Sequence, residues 1–429
     1  MQRTSITIPY GASTLEAEVV GRRLLFTGEP RHFNAIDDFD ETLIARLERP
    51  TAGTSLRELT KAHSEALILV EDNTRHTPVD RILPVLLDYL NSAGLADERI
   101  EILTAGGTHR LMTHRELTEK VGPEAYRRIR ITQHDCLDSG SIVDLGSVSA
   151  GRMRIPVHIN KRVLDGGLVI GLGDIVPHSA AGFSGGAKIV QPGVCGLATT
   201  AATHIAEAFL DEIPLGDPDN PCRLGMEEVA RKAHLGFIIN VVQDPRGRIL
   251  AVVTGDFVAA HRAGAKISRQ AYGVPIPKRA DAVVVSSFPA DIDWWQAEKA
   301  LIAAYFAVRQ GGCIVFAAPC PEGLAQNHPR LRKWLRMSYS DACARASDVD
   351  TGNIEADLIA ADVAAVNARI REHATILIVT DGLSDADVAT LGYRRMPSLQ
   401  AAVDCAAAIG PAETLGVLPY GGVSLPVVS

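Results

Sequence analysis

The chain has 429 residues, 46% of them apolar and 22% charged, with a net charge of -8. That length exceeds one ordinary core, so at least two domains are expected. The missing basic excess excludes a nucleic-acid surface but leaves room for a small anionic substrate. Seven scattered cysteines, odd in number and without a CxxC pair, read as reduced thiols. The polar, strand-like start has no basic-then-apolar leader and no apolar run reaches spanning length, so a cytoplasmic protein without membrane association is expected.

Residues 1–30 alternate polar and apolar around Gly11 and Gly21, which predicts a small antiparallel group of strands. Helical spacing follows over 37–49, and Ser55-Leu-Arg-Glu58 has the capping-box pattern of a second helix. Ala66-Leu-Ile-Leu-Val70 reads as a buried strand that runs into Glu71-Asp-Asn-Thr-Arg-His-Thr-Pro78. A helix over 79–93 and a strand over 100–104 lead into Ala105-Gly-Gly-Thr-His-Arg110. The alternation continues with a helix after Thr113 and the segment 129–135. Leu164-Asp-Gly-Gly-Leu-Val-Ile170 reads as a buried strand, followed by a glycine-dense loop and an Ala-rich helix from Leu197. Strands over 235–242 and 247–254 pair across Pro245-Arg-Gly247.

Gly273-Val-Pro-Ile-Pro-Lys278 reads as a linker, placed at 273–279, between an N-terminal domain over 1–272 and a C-terminal domain over 280–429. Beyond it come strands at 282–286, 313–317 and 375–379, helices at 296–308, around 331–335 and over 356–371, and a short final strand from Leu415. The fold class expected is two α/β domains with mainly parallel sheets and an active site in the cleft between them.

The organising stretch is Gly171 to His204. A strand, a glycine-rich loop and a helix in that order let backbone approach an anion closely. Gly182-Phe-Ser-Gly-Gly-Ala-Lys188 is not a nucleotide P-loop, because Ala187 and Ile189 flank the lysine where Gly and Ser or Thr are required. His109 and His178 sit just past strand ends and His204 lies on the helix beyond, which suits proton transfer or metal ligation. Arg75 is suited to fork a carboxylate. Gln296 and Lys299 share a helix face in the second domain. Three readings remain open from the residues: an enzyme operating a metal-containing cofactor, a cofactor-binding protein without turnover, and a zinc-type hydrolase or lyase.

The combination Asp72-Asn-Thr-Arg75, Gly107-Thr-His-Arg110, Pro177-His178 with Ala181-Gly-Phe-Ser-Gly-Gly-Ala-Lys188, His204, and Gln296 with Lys299 resembles the nickel-pincer-dependent lactate racemase family and its 2-hydroxyacid racemase and epimerase relatives. The resemblance implies a nickel-carrying pyridinium-3,5-bisthiocarboxylic acid mononucleotide attached covalently to Lys188, with His204 as the protein ligand of the nickel. It implies His109 and His178 as the acid–base pair and Arg75, Gln296 and Lys299 as substrate-binding groups. Asp72, Thr74, Gly185 and Gly186 are implied to face the cofactor. The implied reaction inverts C2 of a 2-hydroxy acid by hydride abstraction and return, and cofactor-biosynthesis proteins are the implied partners. His76 follows Arg75 where the lactate enzymes are expected to have proline, and Trp294-Trp295 precede Gln296. Lactate, malate, a sugar acid and an aryl or longer acid all remain open as substrates, with Trp334 a candidate late aromatic group.

Overall fold

The computed structural model describes residues 3–28, 33–150, 153–165, 167–244, 246–325, 328–349, 357–409 and 413–428. Met1, Gln2, Glu29, Pro30, Gly166, Pro245 and Ala356, which the sequence reading included in its segments, lie outside these. Among the described residues no helix is long and apolar enough to cross a membrane. One compact unit runs over 33–269, and the other combines the N-terminal strands with most of the chain from 270 onward.

The 33–269 unit is built on a six-stranded sheet ordered Ile249–Gly255, Leu235–Gln243, Leu168–Asp174, Ala66–Val70, Ile100–Thr104, Arg130–Gln133. Every pairing is parallel except that of Ile249–Gly255 with Leu235–Gln243. Parallel strands need crossovers, and helices on both faces make them apolar throughout. Ala66–Val70 shows this: Ile68 and Val70 join the core beneath helices Phe39–Glu48 and Val79–Ser92, while Leu67 and Leu69 face the opposite layer around helix Pro221–Lys232. A hairpin of Ile142–Ala150 and Met153–Asn160, not read from sequence, adds to that second layer.

The strand read at 164–170 lies at Leu168–Asp174, after a short 3-10 turn over Lys161–Leu164. Gly171 and Gly173, which look like loop residues, are strand residues. A Cβ on Gly171 would stand 2.7 Å from Ile189, and one on Gly173 3.2 Å from Glu71.

The other unit has an all-parallel six-stranded sheet ordered Arg394–Arg395, Ala374–Val379, Val308–Ala317, Ala280–Ser286, Thr414–Leu418, Arg23–Thr27. The hairpin Arg3–Tyr10 and Ser13–Val20 packs on it, with Ile6, Ile8 and Val19 in one core with Val284, Val315 and Leu399. Chain order had placed these first strands in the 1–272 domain. Local alternation shows that a strand exists but carries no record of which distant strand it pairs with. The expected linker is also structured: Gly273–Ile276 is a strand parallel to Leu425–Val428. Pro275 fits there because a two-stranded ribbon leaves one side of each strand without ladder bonds.

Candidate active site

In the 33–269 unit the chain lays down Ala66–Val70, moves outward to Ile100–Thr104 and Arg130–Gln133, then returns to place Leu168–Asp174 on the other side of Ala66–Val70. Strand order therefore reverses between Ala66–Val70 and Leu168–Asp174, where loops at the carboxyl ends splay apart and open α/β sheets bind ligands. A recess of roughly 390 Å³, its mouth included, opens at this end of the sheet, lined by Glu71, Asp72, Arg75, His109, Lys188 and Gly193.

Asp72 stands two residues past the buried strand Ala66–Val70 and is itself buried. Its Oδ2 accepts from His109 Nδ1 at 2.7 Å, and its Oδ1 accepts from Thr74 Oγ1 at 2.6 Å and from the Thr74 N–H at 3.0 Å. Burial opposes the charge on Asp72, but His109, Arg75 and Thr74 outweigh it and hold the carboxyl well below the usual range. An ionised carboxylate on Nδ1 fixes the tautomer and leaves Nε2 of His109 as a base. Arg75 Nη1 donates to Thr74 Oγ1 at 2.9 Å, so its guanidinium is held at the rim of the same cluster.

Lys188 enters the recess from the 3-10 turn Gly186–Ile189. Among the described residues no hydrogen bond or ion pair reaches its Nζ. Burial, then the nearby Arg75, brings its pKa from 10.5 down to about 7. The loop before it has little freedom. Arg223 is fully buried and donates to Ala181 O at 3.1 Å, to Gly185 O at 3.0 Å and to Phe183 O. Burial lowers the Arg223 pKa to about 9. Gly182 has φ 71°, and a Cβ there would lie 1.8 Å from Asp217 O. Gly185 and Gly186 also have positive φ, and their missing Cβ atoms make room for Asp174 O and the His261 ring. The Gly186 N–H donates to Asn240 Oδ1 at 2.8 Å, so that amide is committed within the protein.

His178 lies in the small pairing of Pro177–His178 with Gly182–Phe183, past the end of Leu168–Asp174. The Ala181 N–H donates to its Nδ1 at 3.4 Å. His178 is not among the residues lining the recess. His204 lies in helix Leu197–Ala208, which Gln191 ties back to the Lys188 turn through Thr203 Oγ1 at 2.8 Å. Burial lowers the His204 pKa, Glu207 opposes this, and the charge of Lys188 adds to it.

The 33–269 unit thus brings Asp72, Thr74, Arg75, His109 and Lys188 together. Gln296 and Lys299 belong to the other unit, three apart on helix Trp294–Ala307, where Lys299 Nζ donates to Gln296 Oε1 at 2.6 Å. Trp294 is a fully buried core residue, Trp295 stacks on His328 at 4.0 Å, and Trp334 is buried. His76 is exposed.

Sequence reasoning missed Glu71, Lys120 and Arg223. Glu71 is buried, accepts from Thr77 Oγ1 and from the Asp174 N–H at 3.3 Å, and has its pKa pushed up to about 7 by burial and then by Asp174. Lys120 donates to Arg75 O at 2.8 Å and Thr77 O at 3.0 Å, and burial lowers its pKa. The first acidic residue past a central strand was a usable signal for Glu71. Lys120 and Arg223 sit on ordinary amphipathic helices and carried none.

The residues present suit the implied cofactor. Lys188 offers an amine that is about half neutral near pH 7 and, among the described residues, has no ion pair to break before acylation. His204 is kept in the neutral form that ligates a metal.

Residues 10–213 match the model of the lactate racemase N-terminal domain and 276–427 that of the lactate racemase C-terminal domain. A lactate racemase from Lactiplantibacillus plantarum is 32% identical over 326 residues, covering 74% of this chain and 76% of that one. A lactate racemase from Thermoanaerobacterium thermosaccharolyticum is 28% identical over 384 residues, 88% of each chain. The solved lactate racemase apoprotein from Thermoanaerobacterium thermosaccharolyticum superimposes with a TM-score of 0.88 at 26% identity, covering 99% of this chain and 100% of its own. A Thermotoga maritima protein at 20% identity has a TM-score of 0.71, covers 92% of this chain and 100% of its own, and shares the fold.

Proposed function

Since the chain belongs to the lactate racemase family, we propose that it inverts C2 of a small anionic 2-hydroxy acid as a racemase or epimerase. The observation that carries this reading is the Asp72–His109 pair beside Arg75 and Lys188 in one recess at the strand-order reversal. Direct removal of the C2 proton is unfavourable beside an ionised carboxylate, so inversion through a 2-keto acid is the easier route. A nickel-pincer nucleotide tethered at Lys188 and ligated by His204 supplies the hydride-transfer chemistry of that route when bound.

The chain's own residues supply placement and proton transfer. Arg75 presents a guanidinium that matches the substrate carboxylate. His109 Nε2 takes the hydroxyl proton, and the Asp72 carboxylate on Nδ1 stabilises the resulting imidazolium. His178 serves the opposite enantiomer, so each direction of the reaction has its own acid and base. Gln296 and Lys299 are the further substrate-binding groups that the family resemblance implies. Asp72 and Thr74 act by orienting His109 and Arg75.

The test is a chiral assay over a panel of 2-hydroxy acids, using protein co-expressed with cofactor-biosynthesis enzymes and checked by intact mass. A mass increase located at Lys188, racemisation of at least one acid, and its loss in both His109→Ala and His178→Ala are expected. An unmodified chain, or a loaded protein that leaves every acid optically unchanged, rejects the reading.

A further inference from the structure

The Asp72–His109 contact joins two loops that leave neighbouring strands. Strand pairing extends only to Val70 opposite Thr104, with one further bond from the Ala105 N–H to Val70 O at 2.7 Å. Beyond that point nothing in the sheet holds Asp72 against His109. The tie comes from helix His114–Val121. Glu116 Oε1 accepts from Asn73 Nδ2 at 3.0 Å and Arg110 Nη2 at 2.6 Å, and its Oε2 accepts from Arg110 Nη1 at 2.8 Å. Asn73 adjoins Asp72 in the chain, and Arg110 adjoins His109. One carboxylate therefore grips the immediate neighbour of each partner. Lys120, one turn further on the same helix face, holds the far side of the Asp72 loop through Arg75 O and Thr77 O.

We propose that Glu116 is a positioning residue for the His109 base, locking the two loops so that Asp72 meets Nδ1. Glu116 also closes the capping box of its own helix, accepting from the Thr113 N–H at 2.8 Å. That local duty accounts for this bond and for the one that Thr113 Oγ1 donates to Oε2 at 2.9 Å, and leaves the bonds to Asn73 and Arg110 unexplained. The two-pronged Arg110 contact is the strongest of them, and it brings the Glu116 pKa down to about 2, so the clamp stays charged across the working range. The inference rests on His109 being the proposed base.

The two duties separate experimentally. Glu116→Ala removes both, whereas Glu116→Gln keeps a capping-box residue while losing the charged fork to Arg110. Two readouts are used: the downfield proton resonance of His109 Nδ1–H in cofactor-free protein, assigned by its loss in Asp72→Asn, and turnover of the loaded enzyme. Glu116→Gln is expected to regain most of the thermal midpoint lost in Glu116→Ala, yet to show a lost or exchange-broadened resonance. In the loaded enzyme kcat falls at least about tenfold while KM moves less than about threefold, as expected from a misplaced base. Asn73→Ala, which cuts the clamp without touching the helix cap, shifts both readouts the same way. Arg115→Ala, on the exposed side of the helix and paired among the described residues with Glu119, leaves them unchanged. Recovery of the resonance and kcat together with the midpoint in Glu116→Gln overturns the proposal, as does an Asn73→Ala protein indistinguishable from wild type. If loaded protein racemises nothing, the resonance in the cofactor-free variants still decides this inference separately from the proposed reaction.

Discussion

Replacing Lys188 with methionine should make the cofactor-free protein more stable, against the usual direction for a site residue. Methionine has nearly the length of lysine and fills the same channel without a charge. The folded protein disfavours the ammonium form, moving its pKa from 10.5 to about 7, which corresponds to about 5 kcal/mol at 1.36 kcal/mol per pH decade. Partial access to water trims this to roughly 3–5 kcal/mol. The sign follows from proton counting. Between about pH 7 and 10.5 the unfolded chain holds the lysine proton and the folded chain does not. Wild type therefore gains stability as pH rises through that window, and the penalty is fully present below it. Glu71, raised to about 7, titrates on the low side of the window, and its charge favours the Lys188 ammonium, so losing the lysine removes that attraction and trims the gain where Glu71 is ionised. Thermal unfolding from about pH 6 to 9.5 should place the Lys188→Met midpoint roughly 10 °C above wild type at the acid end, with the gap narrowing as pH rises. Parallel pH profiles, or a variant no more stable than wild type at about pH 6, would refute the reasoning that Lys188 is held as a strained free amine.

Other outcomes follow from the same geometry. Asp72→Asn leaves His109 without its anionic anchor and should lower kcat by about 10³-fold or more, as loss of the carboxylate does in a serine-protease triad, while the Lys188 adduct mass is retained; near-normal turnover would remove Asp72 from the mechanism. Arg223→Met strips the donor from three loop carbonyls. At about 1 kcal/mol each this destabilises the protein by roughly 3 kcal/mol, seen as a lower unfolding midpoint and slower loading at Lys188. An unchanged midpoint would show that the loop holds itself.

The fold was legible where a single local signal settled it. Ala66–Val70 is short, wholly apolar and followed at once by polar residues, and Ile100–Thr104 is short, mostly apolar and runs into a glycine turn, so both the parallel sheet and the loops at its carboxyl end could be read. Leu168–Asp174 was misplaced because Gly171 and Gly173 mimic a turn, and only the close approach of Ile189 and Glu71 shows why a strand needs them. The site residues Asp72, Arg75, His109 and Lys188 could be named because each sits within a few positions of a strand end or in a glycine-rich motif. Arg223, Glu116 and Lys120 act from helices at the loops their side chains reach across to. Their sequence context is that of any solvated helix face, so nothing short of three-dimensional proximity distinguishes them.

The strand Arg23–Thr27 has a consequence for how the polypeptide comes to be made. It lies at one margin of its sheet, and the neighbour that it hydrogen-bonds, Thr414–Leu418, leaves the ribosome only after the whole 33–269 unit. The whole 33–269 unit can condense in the meantime as an uninterrupted stretch, while the leading segments wait for their mate. Trimming the first strands would therefore bare the backbone of Thr414–Leu418 along one side, an invitation to pair with another molecule. A fragment cut cleanly at 33 and 269 keeps every strand of its own sheet.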